Sequence, residues 1–399
     1  MDTILEDLSR IKKSGVNDVF VPSTPINSQN FFCGRQEQVG FILDILANTG
    51  THILLYGDRG VGKTSLANYT CTMAAQADLI EGWYTKRCDE NDTFATIMMS
   101  FFERLNIEIK TKSSTTKNAG IDIASIQLGK QTTDEQDIVN LFNSPSWVAD
   151  KLQHISGVLL IDEFDTLKNK EDRGLIAQLM KLLSDSSSKL VIYVVGIAES
   201  SQELLLGHKS VSRCLKEIKL NRMSNDELSE ILRTGEERLS LKFDEDVKDV
   251  IIQSSMGFPY FTHLLALESA KLAIIDEQRI VNMDYYNRGL KKAIASAEQA
   301  MVDMYQDAIG ANNDPTKRKI LFAASFCRAD LFTAVQLREK YKELNNEEIE
   351  QLEINNAMQK AISDETDTII KRLRKGVYRF NDPRMHCFIQ IREQMSGNE

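Results

Sequence analysis

The sequence predicts an α/β fold in which a parallel sheet is covered on both faces by helices. Three observations carry that prediction. The runs at 158–161 (VLLI) and 190–195 (LVIYVV) are apolar at every position, as strands buried on both faces are, and helical patterns flank them. The run at 52–56 (HILLY) leads into GDRGVGKTS, a glycine-rich turn at the start of a helix. The strand VLLI ends in two adjacent acids, Asp162 and Glu163.

In chain order, residues to about 19 read as a helix. FVPSTPINSQN is then extended, because Pro22 and Pro25 disfavour helix at and before their positions. After FFCGRQEQ a helix carries Val39, Ile42, Leu43 and Leu46 on one side, and Asn48-Thr-Gly50 ends it. The first strand, the glycine loop and a helix over about 63–77 follow. GWYTKR at 82–87 is a second strand. Residues 93–105 form a helix with Phe94, Ile97, Met98 and Phe101 inward. Residues 110–137, rich in Ser, Thr, Lys and Gln, read as a solvated insertion. Helix resumes over 138–153, a further helix over 173–183 joins the two apolar strands, and KEIKL at 216–220 is the last strand. One α/β domain over 1–221 results.

From Ser224 the pattern is helical only. Ser224-Asn-Asp-Glu227 is a capping box that opens a helix to about 239, and Gly257-Phe-Pro259 precedes a long helix to 275. A helical lid over 222–312 is expected. After Asn312-Asn-Asp-Pro315 come two helices, a charged and acidic helix near 346–352, and two strands turning at Lys375-Gly376. Helices followed by a basic hairpin predict a winged-helix-like domain over 313–399.

Composition narrows the class. A chain of 399 residues, 42% apolar and 27% charged, belongs to a globular protein of two or three domains. No apolar run approaches a membrane span, and MDTILEDLSRIKK lacks a signal core, so a cytoplasmic protein without membrane contact is expected. Six scattered cysteines without a C-x-x-C pair suit reduced thiols. His154, His208, His263 and His386 lack metal-ligand spacing. The net charge of −10 opposes wholesale coating of nucleic acid. Between Asp367 and Asp382, however, no acid falls among Lys371, Arg372, Arg374, Lys375 and Arg379.

Gly57 to Thr64 fits G-x-x-x-x-G-K-[ST] in the strand-to-helix context that the motif needs. Bare amides and the helix dipole hold phosphate there, so Gly57, Asp58, Arg59, Gly60, Val61, Gly62, Lys63, Thr64 and Ser65 are the expected nucleotide-binding set. Lys63 reaches the β and γ phosphates of ATP, and Thr64 offers its hydroxyl to Mg²⁺. Asp162 stands near that metal, and Glu163 orients the attacking water. Taken singly, a glycine-rich turn and a solvated strand end explain these residues as well. Their conjunction on neighbouring strands makes them a candidate site.

The order Gly34-Arg35, glycine loop, IDE, then an all-helical section resembles the AAA+ ATPases, a P-loop NTPase fold, and most nearly their initiator-type branch. That branch includes the archaeal and eukaryotic replication initiators and related bacterial ATPases. The resemblance covers most of the chain. The tail IIKRLRKGVYRFNDPRMHCFIQIR is similar to the last hairpin and helix of the winged helix those initiators carry.

The resemblance implies an ATP- and Mg²⁺-dependent ATPase. Ser212-Arg213-Cys214 repeats the S-R-C of clamp-loader subunits, which implies that Arg213 reaches a neighbour's ATP in a homo-oligomer; the plainer reading is a surface arginine before a strand. Relatives hold a polar residue, often Asn, after the fourth strand; here Glu199 or Ser200 would stand in. Many also have an arginine just beyond the lid glycine, where this chain has Tyr260, Phe261, Thr262 and His263. Gly257-Phe-Pro259 is instead similar to the G-x-P of signalling STAND ATPases, which implies Pro259 near the adenine; packing at a helix start is the alternative. Val19-Phe-Val-Pro22 and Phe31-Phe-Cys-Gly-Arg35 resemble adenine-flanking segments, with Arg35 fixing its turn by salt bridges.

Two function classes follow. One is an oligomeric ATPase whose nucleotide state controls a protein effector, as in some bacterial anti-phage defence systems. The other acts on DNA through the winged helix, as initiators, loaders and transposition regulators do. The hairpin's basic residues favour phosphate contact, whereas the acidic helix before it would repel a duplex.

Overall fold

The computed structural model describes residues 2–22, 33–107, 133–198, 211–327, 331–357, 362–363 and 368–396. The chain parts into two compact units. One comprises Pro25–Asp58 and Gly62–Asn221; the other comprises Met1–Thr24, Arg59–Val61 and Arg222–Glu399.

The first unit is built on five parallel strands: β1 (His52–Gly57), β2 (Trp83–Arg87), β3 (Gly157–Asp162), β4 (Leu190–Ile197) and β5 (Leu215–Lys219). Their order is β2-β3-β4-β1-β5. The strand bearing the glycine loop and the strand bearing the acids are therefore not the neighbours that the sequence suggested. β4 lies between them, and its longest apolar run takes a central place, buried at every position except the last.

Pro145 divides the helix expected over 138–153. Its fixed φ suits a first helical turn, and the Ser144 hydroxyl accepts the Trp147 N–H at 3.4 Å, so Thr133–Phe142 and Pro145–Leu152 are separate helices. Of the insertion expected over 110–137, residues 133–137 already belong to the first of these helices, and 110–132 lie outside the described residues. Phe102 meets Phe142 edge-on at 4.8 Å and stacks on Trp147 at 5.7 Å, which fixes this helical layer to the core. At the rim of the sheet, Arg104 Nη1 donates to the Thr85 carbonyl of β2 at 2.6 Å.

His52, wholly buried at the start of β1, holds the Met180 carbonyl with Nε2 at 2.7 Å and accepts the Ile192 N–H on Nδ1 at 3.0 Å. Nε2 therefore carries the proton of a neutral ring. Burial pushes its pKa from 6.5 down to about 4.

The second unit is mostly helical. Ser224 and Glu227 form the expected reciprocal cap of the helix Asn225–Leu239, at 3.2 and 2.8 Å. The N-terminal residues, assigned to the sheet domain on sequence, group here. Phe20 is 1% exposed and lies against Gly235, where an added Cβ would meet the ring at 2.1 Å. The Val21 N–H donates to His263 Nδ1 at 3.3 Å, and burial lowers that ring's pKa to about 4 as well. Phe20 is thereby committed to the helical core rather than open to an adenine. Phe31 lies outside the described residues. The pattern is also not helical throughout: β6 (Lys242–Phe243) pairs in parallel with β7 (Ile280–Val281).

Two neutral buried histidines predict acid sensitivity. Each has a folded pKa below its unfolded value, so the stability it contributes is full above pH 6.5 and is lost as pH falls toward about 4. Each is worth on the order of 3 kcal/mol. Urea unfolding across that range should show the midpoint falling with pH. A flat midpoint would mean that the rings are solvated.

The C-terminal part of this unit contains helices Pro315–Ser325, Ala334–Asn345, Gln351–Ala357 and Met385–Ser396. A sheet joins β8 (Phe332–Thr333), β9 (Ile362–Ser363), β10 (Ile370–Arg374) and β11 (Val377–Phe380) in the order β8-β11-β10-β9. β10 and β11 form an antiparallel hairpin, with Gly376 at φ 76° in the turn. The charged stretch 346–352 is not the helix expected of it. Asn346 adopts φ 54° and ends the preceding helix, and the next begins only at Gln351. Arg384, 3% exposed, is held by Glu298 at 2.8 and 3.0 Å and by Asp382 at 2.7 Å, a charge-assisted set that anchors the final helix. All six cysteines are buried and free.

Candidate nucleotide-binding site

The loop after β1 can be followed residue by residue. Gly57, Gly60 and Gly62 have φ of 150°, 81° and 92°, conformations that side chains disfavour. At Gly57 an added Cβ would lie 2.3 Å from the Leu220 carbonyl oxygen, so the turn tolerates only glycine there. Gly62 caps the helix Lys63–Gln76, whose first turn contains no acid. Its leading amides lack intrahelical acceptors and carry the positive end of the helix dipole. Such a cradle fits an anionic phosphate chain. Arg59, Gly60 and Val61 group with the second unit; Arg59 is exposed and Val61 buried.

Lys63 is 8% exposed, and its Nζ donates to the carbonyls of Gly57 at 3.1 Å and Asp58 at 2.6 Å. The ammonium thus lies folded within its own loop. Thr64 Oγ1 donates to the Asp162 carboxylate at 3.0 and 3.2 Å. Asp162 ends β3, is 3% exposed and also accepts the Glu163 N–H at 2.9 Å. A hydroxyl and a carboxylate together are the hard oxygen donors that Mg²⁺ takes, so this pair suits that ion.

Glu163 has a left-handed backbone, φ 54°, at the entry to the short turn Phe164–Thr166. A non-glycine residue held there stores strain of the kind that gathers at functional sites. Its side chain is half exposed. Asp165 accepts the Ile197 N–H at 2.7 Å and ties this turn to the end of β4.

One residue escaped the sequence reading. Arg87, at the end of β2, is paired in register with Asp162. Its Nε lies 3.7 Å from Glu163 Oε1, and its Nη2 lies 4.0 Å from Asp162 Oδ2. A strand-terminal arginine gives no local motif; only the strand order reveals what it faces.

The remaining expected residues are scattered. Arg213 is exposed and ion-paired with Asp185 of its own chain. Pro259 is the first residue of the helix Pro259–Ile275 and is buried, with Phe258 before it under the Arg222 guanidinium at 4.6 Å. Arg35 Nη2 donates to the Asn221 carbonyl at 2.6 Å. Ser65 is half-buried in the first helical turn. Glu199, Ser200 and His208 lie outside the described residues. Among the described residues, no cluster of three or more His, Cys, Asp or Glu gathers to hold a metal, and no helix is long and apolar enough to cross a membrane.

A family model described as Novel STAND NTPase 1 matches residues 25–358. Among solved structures, the fold is similar to the Walker-type ATPase PABY2304 of Pyrococcus abyssi at 16% identity and a TM-score of 0.52, covering 93% of this chain and 99% of that one. It is similar to ORC2 of Aeropyrum pernix, solved as ADPNP–ADP complexes, at 13% identity and a TM-score of 0.51, covering 96% and 98%. ORC1 of the same organism, solved in complex with DNA, gives 14% and 0.50, covering 95% and 97%. No curated protein matches the chain. At such identities the likeness is one of fold, that of the P-loop NTPases.

Proposed function

The chain belongs to the Novel STAND NTPase 1 family, and from that premise we propose that it is a Mg²⁺-dependent ATPase whose nucleotide state governs its assembly and a bound protein effector. One observation carries the proposal. The Thr64 hydroxyl and the Asp162 carboxylate meet at 3.0 Å, which joins the phosphate loop to the acidic strand across the intervening β4.

On ATP binding, Lys63 exchanges its loop carbonyls for β and γ phosphate oxygens, and the loop amides take up the remaining charge. Thr64 and Asp162 hold Mg²⁺, which neutralises charge on the phosphates when bound. Glu163 accepts a hydrogen bond from the attacking water and sets it in line with the γ phosphorus. Arg213 of a neighbouring copy leaves Asp185 and faces the transferring group. The C-terminal section with its hairpin carries the effector. A role in anti-phage defence, in which a nucleotide-gated assembly switches an effector on, suits the acidic balance of the chain.

The second reading, a protein that acts on DNA, is favoured by the exposed Arg372, Arg374 and Lys375 of the hairpin. Hydrolysis stimulated by duplex DNA and weakened by salt would select it. Hydrolysis and assembly indifferent to DNA select the effector reading. A shared site makes a further demand. Arg213→Ala and Lys63→Ala should each be inactive alone yet recover part of the ATPase activity when mixed, because one supplies an intact pocket and the other an intact arginine. A mixture as silent as its components would remove Arg213 from the neighbour's site.

A further inference from the structure

The helix Asp2–Ser14 is tied to its own unit on one side and left open on the other. Arg10 does the tying: its Nη1 donates to the Ile275 carbonyl at 2.7 Å, and its Nη2 lies 3.0 Å from Glu277 Oε1. Ile4, Leu5 and Leu8 stand 64%, 61% and 56% exposed. Spaced i, i+1 and i+4, they form one stripe, and half-buried Ile11 extends it by a turn. Apolar side chains open together on one face differ from the scattered single exposures that any surface carries. Charge is divided along the same helix. Glu6 and Asp7 lie in its first half, and Arg10, Lys12 and Lys13 lie in its second. That order suits the helix's own dipole, but the dipole has no use for an open apolar stripe. A face that is acidic in one half and basic in the other complements a copy of itself turned end for end. Laid parallel, the same two helices would set acid beside acid and base beside base.

We propose that this helix pairs antiparallel with the same helix of a second copy of the chain. A two-fold axis beside Leu8 sets Leu8 against its counterpart and Leu5 opposite Ile11, and it lays Ile4 along the aliphatic stem of Lys12. The acidic half of each copy then lies over the basic half of the other. Three side chains bury far less than the roughly 800 Å² per partner of a standard stable interface, so the pairing is weak and reversible. It needs no nucleotide, and it stands or falls apart from the ATPase reading. A lipid surface fits this face less well. Interfacial helices carry an excess of cations, whereas here Glu6 and Asp7 offset Lys12 and Lys13, and Arg10 is already bonded.

The test uses the full chain without nucleotide. All six native cysteines are buried, so Ile4→Cys and Lys12→Cys each add one accessible thiol. Mixed under mild oxidation, the two variants should cross-link position 4 to position 12 several-fold beyond the share that chance collision gives. A parallel pair would favour links between like positions, and an unpaired helix would show no preference; either result overturns the proposal. Sedimentation over a concentration series should show dimer in the unaltered protein and its loss in Leu8→Glu. The melting temperature should stay unchanged, because Leu8 is open. Glu6→Lys with Asp7→Lys, and Lys12→Glu with Lys13→Glu, should each lose self-association and regain it when mixed, the more so at low salt. Self-association that survives Leu8→Glu belongs to another surface and overturns the proposal. Capture by phosphatidylglycerol–phosphatidylcholine vesicles that Leu8→Glu abolishes would give the stripe to a lipid surface and overturn it as well.

Discussion

Lys63→Ala should abolish useful ATP binding. The ammonium is already desolvated in the loop, bonded to the Gly57 and Asp58 carbonyls, so presenting it to phosphate requires little further loss of water. Removing one partner of a buried, charge-assisted contact costs about 3–5 kcal/mol, or roughly 10²- to 10⁴-fold in affinity. Alanine also leaves those carbonyls without the donor they now share, so thermal melting of the variant belongs beside the binding measurement. Calorimetric titration with ATP and Mg²⁺ decides the matter. Affinity within a few-fold of the unaltered protein would mean that the loop does not hold a triphosphate.

Glu163→Gln separates binding from turnover. Glutamine keeps the shape of the side chain and its half-exposed position, so ATP and Mg²⁺ should bind as before. It cannot take up proton density from the attacking water, and hydrolysis should fall by about 10²- to 10⁴-fold. The trapped ATP state should then accumulate the assembled form, visible by light scattering. Comparable hydrolysis by the variant would take Glu163 out of the reaction.

What was legible in the sequence was what is local. A glycine loop ending in Lys63-Thr64 carries its own geometry, because each backbone conformation is written in the residue that adopts it. The apolar strands and the Ser224–Glu227 cap are legible for the same reason. What the sequence hid depends on distant partners. It contains nothing that says β4 will stand between β1 and β3, and hence that Thr64 and Asp162 meet across a strand. Phe20 reads as part of an adenine-flanking segment until Gly235 supplies the hollow that receives it. The charged stretch after Asn345 carried helical composition, yet a left-handed Asn346 cut it, a choice of one backbone angle that composition does not record. β6 and β7, of two residues each, are too short to leave any periodicity.

The Arg104 guanidinium on the Thr85 carbonyl has a consequence for what can add to the outer edge of the sheet. A bare outer strand invites another molecule to extend the sheet by backbone pairing, a route that ends in fibres rather than closed rings. With that carbonyl engaged by a charged side chain, edge-to-edge stacking at β2 would first have to break a contact and strand a cation. Extension of the sheet in that direction is discouraged.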